Sequence, residues 1–228
     1  CLSIKMNGRT SGMPFSLKGD LAALPGVEEV SAAIDLTDTY TVTSDKIQSS
    51  QMLADIWVKD NGDIPSVLMH NASKGTLNTT VCALPDDELR RIAADAGVSD
   101  EEIETLLAGD SVLTLWRDCY YDPAADEYYQ GFQPDGSTLV EPVFAAGDKL
   151  SIQHQRYTGQ DEAGNDVYRT YTAQLPIAGV VKSANNYTLL TTDRLIFSGT
   201  IFVSTALYHK MFESAGSYHM EKEGYSSL

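Results

Sequence analysis

Apolar positions in this chain fall into short runs whose spacing switches between helical and strand-like periods. Leu17, Leu21 and Leu24 recur at helical spacing, and Pro25-Gly26 then supplies both a helix stop and a turn. A strand-like Ser3-Ile4-Lys5-Met6 stands before that helix. After the turn, Val27, Val30, Ala32 and Ile34 largely alternate, and Thr37 to Val42 continues with β-branched and aromatic residues suited to a pleated surface. The opening pattern predicts strand, helix, strand.

Farther along, Ile56-Trp57-Val58 and Val67-Leu68-Met69 read as short strands separated by a turn rich in Asp, Asn, Gly and Pro, and Thr79 to Ala83 reads as a third. Pro85-Asp86-Asp87-Glu88 starts a helix with the stripe Leu89, Ile92, Ala93 and Ala96, closed by Gly97. A second helix follows at once. Ser99 stands at its N-cap and Glu102 at N3, a capping box, with Ile103, Leu106 and Leu107 as the buried face before Gly109. Val112 to Trp116 reads as a buried strand. Asp118 to Asp135 reads as a Tyr- and Asp-rich loop punctuated by Pro123, Gly131, Pro134 and Gly136, the expected contact segment. Leu150 to His154 and Val167 to Leu175 frame a polar stretch, the pattern of a long β-hairpin. Ile177 to Val181, Thr188 to Thr192 and Thr200 to Val203 are strand-sized. Ser204-Thr205 caps a helix carrying Ala206, Leu207, Met211 and Phe212, and Ser217 to Lys222 reads as a last strand.

Composition narrows the picture through charge. The chain has 228 residues, enough for one large or two small cores, with ordinary hydrophobic and charged fractions of 43% and 21%. Its 16 basic and 32 acidic residues leave a net charge of −16, a field that repels phosphate backbones, which excludes nucleic-acid binding through a basic surface. No run reaches the roughly 20 apolar residues of a membrane span. The sequence starts abruptly at Cys1-Leu2-Ser3-Ile4 with no signal-like region, so it reads as an excised or processed piece. Cys1 reads as a lipid-modified first residue, as the last residue of a membrane-anchoring helix, or as the edge of an excised segment. The edge reading is favoured because the strand-like residues after it leave no flexible tether.

Chemistry is sparse. His70, His154, His209 and His219 are far apart and form no metal-ligand spacing, and neither a GxSxG elbow nor an SxxK pair surrounds Ser183 or Ser198. Neither GxGxxG nor a Walker loop occurs. Asp86-Asp87, Asp126-Glu127 and Asp161-Glu162 could be acid–base pairs, or calcium ligands with Asn165 and Asp166, yet they sit at helix starts and loop tips where capping and turn chemistry want acids. Catalytic, cofactor and metal residues are therefore assigned to none. Cys82 and Cys119 are the cysteines within structured sequence, a candidate disulfide or two small buried hydrophobes. Tyr120, Tyr121, Tyr128 and Tyr129 either contact a partner or lid the sheet beneath them.

The order of strand, helix ending in Leu24-Pro25-Gly26-Val27, inserted β-rich section with Gly147-Asp148-Lys149-Leu150-Ser151-Ile152, then Ile177-Ala178-Gly179-Val180-Val181, and Ile201-Phe202-Val203-Ser204 with a short helix resembles the MacB-type extracytoplasmic core domain of FtsX-like ABC transporter permeases. The likeness covers nearly the whole chain. Gly179 precedes the paired valines, Ser204 stands where proline is usual, and the helical pair from Asp86 to Ala108 is extra, which places the chain in a divergent branch. The resemblance implies an α+β fold: a discontinuous porter-like βαβ lobe from 1–50 and 185–228, and an inserted mainly β lobe, 51–184, carrying the helical pair. It implies a domain on the extracytoplasmic side of the cell membrane that transmits motion and performs no chemistry. Its partners would be the transmembrane helices of the same permease, a separate cytoplasmic ATPase, an outside substrate or partner protein, and, as a homodimer, a second copy. The alternatives are a surface lipoprotein or ligand-binding module anchored through Cys1, and a hydrolase using scattered Asp and His residues.

Overall fold

A computed structural model describes residues 16–28, 30, 34–60, 75–130, 132–182 and 200–215. Helix α1 (Ser16–Ala22) leads to strand β1 (Ile34–Thr43) and two helices, α2 (Asp45–Ser49) and α3 (Gln51–Asp60). Strand β2 (Thr76–Leu84) feeds the helical pair α4 (Asp86–Asp95) and α5 (Asp100–Leu107), then β3 (Val112–Trp116). Three short strands follow, β4 (Cys119–Asp122), β5 (Glu127–Gln130) and β6 (Thr138–Val140), and then the long hairpin β7 (Lys149–Gln160) and β8 (Asp166–Lys182). Strand β9 (Thr200–Ser204) runs directly into α6 (Thr205–Ala215).

The main sheet is mixed and closes on itself in the order β1-β2-β9-β3-β8-β7, while β5-β4-β6 form a separate three-stranded sheet. The fold is thus mixed α and β with a mainly sheet body. Successive residues on the central strands serve two cores, as the two-residue period of a strand requires. Val81, Ala83, Ile201 and Val203 belong to one cluster with Val42, Ile152 and Ile177. Their neighbours Cys82, Leu84, Phe202 and Leu113 belong to a second, closed by Leu89, Ile92, Ile103 and Leu106 of the helical pair. Burial on both faces explains why β3 and β9 are buried at every position.

Local chemistry fixes the helical pair as its sequence suggests. Glu102 N–H donates to Ser99 Oγ at 3.4 Å, and Ser99 N–H donates back to Glu102 Oε2 at 3.2 Å, so the capping box is complete. Glu88 on the inner face of α4 is only 5% exposed, and Arg91 Nη2 meets its Oε1 at 2.6 Å, supplying the partner a buried carboxylate needs.

Strand β1 begins and β9 ends at the same end of the barrel. Ile34, the first residue of β1, pairs with Ala83, and Ser204, the last of β9, pairs with Leu84, its neighbour on β2. The flanking helices are tied to the same place. Lys18 of α1 bridges Asp87 at 2.7 Å, and Thr205 Oγ1 of α6 donates to Asp86 Oδ1 at 2.9 Å, so adjacent carboxylates at the start of α4 hold both.

Several expectations need correction. Ile56-Trp57-Val58, expected as a strand, lies in α3; a three-residue apolar run cannot distinguish the two states, and Met52, Leu53 and Ile56 together carry helical spacing. Asp118 to Asp135 is not a loop but contains the β4–β5 hairpin. The strand after the first turn begins at Ile34, with Val27 and Val30 in irregular chain before it. The expected strands at 3–6, 67–69, 188–192 and 217–222 lie outside the described residues. Of the segments assigned to separate lobes, β1 and β9 from 1–50 and 185–228 share one sheet with β2, β3, β7 and β8 from 51–184.

Candidate functional site

The small sheet sorts the four tyrosines. Adjacent residues on a strand point to opposite faces, so Tyr120-Tyr121 and Tyr128-Tyr129 must each divide between them. Pairing aligns Tyr121 with Tyr128 and Thr138, and Tyr120 with Tyr129 and Leu139. Cys119, on the same face as Tyr121, is fully buried, and Tyr128 and Val140 pack on the barrel core, so this face is the inner one. Here the Tyr121 and Tyr128 rings meet at a 44° tilt with centroids 5.0 Å apart, and Tyr128 Oη donates to Asp55 Oδ2 of α3 at 2.8 Å. Tyr128 thus faces the barrel core, with Tyr121 beside it.

Tyr120, Tyr129 and Leu139 form a row across all three strands on the outer face, with Leu139 56% exposed. Beside them Asp122 and Glu127 stand directly opposite each other on the same face. Asp122 Oδ1 accepts from the turn N–H groups of Ala124 at 2.8 Å and Ala125 at 3.4 Å, which closes the hairpin, and Tyr129 Oη donates to Glu127 Oε2 at 2.9 Å. Each carboxylate that accepts from a phenol favours its neutral form: Asp126 holds the Tyr121 hydroxyl above its ordinary range, and Glu127 does the same to Tyr129. Tyr128 is pushed up first by burial and then by Asp55. The split between faces was available from sequence, because each Tyr-Tyr pair flanks the turn sequence Asp-Pro-Ala-Ala-Asp-Glu.

Beneath the chain that follows β6, a cavity of about 30 Å³ opens at the barrel end, lined by Val42, Leu77, Thr114, Trp116, Phe144 and Ile201 among others. That is room for a water or two. Thr114 is 4% exposed, and its Oγ1 has no hydrogen-bond partner among the described residues.

The candidate disulfide is not formed. Cys82 and Cys119 are both buried and outside any disulfide, in different clusters, on strands of different sheets. Burial pushes the Cys119 thiol up to about 11, so it stays protonated and unreactive at neutral pH. Among the described residues no three His, Cys, Asp or Glu side chains gather as metal ligands. Of the histidines, His209 lies on α6 with its ring edge-on to Tyr208 at 5.3 Å; His70 and His219 lie outside the described residues, as does the side chain of His154. The carboxylates weighed as acid–base pairs have local duties. Asp86 and Asp87 hold the flanking helices, and Asp161 accepts from Ala163 and Asn165 at the hairpin tip. Among the described residues no helix is long and apolar enough to cross a membrane. No protein-family model matches the chain, and neither does any of the curated proteins with which it was compared.

Proposed function

We propose that this is the extracytoplasmic domain of an FtsX/MacB-like ABC transporter permease, coupling ATP hydrolysis by a separate cytoplasmic subunit to substrate export or partner regulation outside the membrane. One observation supports the reading most. A domain inserted between two membrane spans must receive and return its chain on one side, and Ile34 and Ser204 pair with adjacent residues of β2. The carboxylates of Asp86 and Asp87, reaching Thr205 and Lys18, would let a displacement of either flanking helix pass to α4 and the sheet under it. The outer-surface location and the homodimer belong to the same proposal.

The test uses the intact gene product in its own membrane. A Glu162→Cys variant, at the exposed hairpin tip, should react with a membrane-impermeant maleimide on intact cells, and a Walker-type ATPase should copurify after detergent extraction. Labelling without an ATPase, with membrane attachment lost in Cys1→Ala, would overturn the proposal in favour of a lipoprotein. Labelling only after permeabilisation would overturn both.

A further inference from the structure

The outer face of the β5-β4-β6 sheet combines three features that recognise one kind of partner. First, the row Tyr129-Tyr120-Leu139 spans three strands, an aromatic and apolar stripe about 10 Å across at ordinary strand spacing. Second, Asp122 and Glu127 face each other in register on this side, an arrangement that costs stability in a sheet. Neither has a Lys or Arg within ion-pair distance among the described residues. Third, residues 118–148 contain seven acidic side chains and no lysine or arginine.

We infer that this face docks an extended protein segment carrying an arginine two residues from an apolar residue, a spacing that turns both side chains to the sheet. A guanidinium can lie flat on a tyrosine ring while its N–H fork reaches the paired carboxylates, an arrangement a lysine ammonium cannot reproduce. The apolar residue would cover Leu139, which is more than half exposed. Arginine relieves the Asp122–Glu127 repulsion, and the tyrosines supply contact area at little cost in side-chain freedom. The inference rests on the geometry of this sheet and not on the permease reading; each can fail without the other.

The test is an amide NMR titration of the whole chain with the peptide acetyl-Leu-Ser-Arg-Ser-Leu-amide and its lysine counterpart. The expected result is a set of shifts confined to 120–129 and 138–141, with the arginine peptide binding about threefold or more tighter than the lysine one. The shape-preserving double variant Asp122→Asn/Glu127→Gln should weaken binding about fivefold or more. Leu139→Ser, an exposed change that leaves the core alone, should weaken it about twofold and covers failure of the double variant to fold. Shifts scattered over the acidic surface would overturn the inference, as would equal binding of both peptides or parental affinity in these variants, because a net charge of −16 attracts any cation.

Discussion

Replacing Gly109 by alanine tests how α6 is seated. Gly109 lies just after α5 at φ +80, and Gly97 just after α4 at φ +78, so alanine at either site is forced into the left-handed region at about 1–2 kcal/mol. Their surroundings differ. A Cβ on Gly97 meets nothing within 4 Å, whereas one on Gly109 would lie 2.7 Å from the Leu207 nitrogen and 3.0 Å from its Cα. Those are backbone atoms of α6, which Lys210 fastens to the same turn by donating to the Ala108 carbonyl at 2.9 Å and to Asp110 at 3.0 Å. The helix must shift, at an overpacking cost of about 1–3 kcal/mol beyond the backbone strain. Gly109→Ala should therefore lose about 2–5 kcal/mol and Gly97→Ala about 1–2 kcal/mol, read as urea midpoints at unchanged m-value. For a chain of this size the gap corresponds to a Tm difference of at least about 2 °C. Equal losses at the two sites would refute the placement of α6 against the α5–β3 turn, and with it the clamp that gathers both flanking helices.

Thr114→Val keeps the side-chain shape and removes a buried hydroxyl that lacks a partner among the described residues, so it should raise urea stability by about 1–2 kcal/mol; a loss would show that the hydroxyl is satisfied. Cys82 and Cys119 should resist a disulfide reagent at pH 8 until urea unfolds the chain, and a reductant should leave Tm unchanged; a Tm that falls on reduction would reveal a bond between them. Burial pushes the Asp87 carboxyl up, but the hydrogen bond and charge of Lys18 outweigh it and leave it below its ordinary value of 3.8. A depressed carboxyl contributes stability that is complete above 3.8 and lost as the pH falls through the lower folded-state value. Lys18→Met should raise the Asp87 titration midpoint, followed by carboxyl NMR, and an unmoved midpoint would show that the α1–α4 bridge is not made.

How much of this was legible in sequence depended on whether a signal was local. The helical pair was fully written, because the capping box, the glycine stops and the stripe Leu89, Ile92, Ala93 lie within one or two turns of each other. The long hairpin was legible for the same reason, with Asp161 and Asn165 forming its turn. Strand β3 was legible as buried, but its burial on both faces needed knowledge of the helices above it. Helix α3 was missed because its clearest apolar run, at 56–58, is too short to set a period, while Ser50, whose hydroxyl accepts from Leu53 N–H at 3.3 Å, carried the helix-start signal. The β4–β5 hairpin was missed because its outer face pairs tyrosine with acid, so the usual apolar–polar alternation does not show. Closure of the sheet was not legible at all. It depends on β1 meeting β7 across residues 41–43 and 151–153, a pairing between segments a hundred residues apart.

Determining the gene sequence on both sides of the segment would show whether this domain stands outside a membrane between two spans of one permease. An apolar stretch of about 20 residues is expected before Cys1 and another after Leu228, with a Walker-type ATPase encoded alongside. A cleavable leader with a lipid-attachment motif ending at Cys1, and no apolar span downstream, would contradict it.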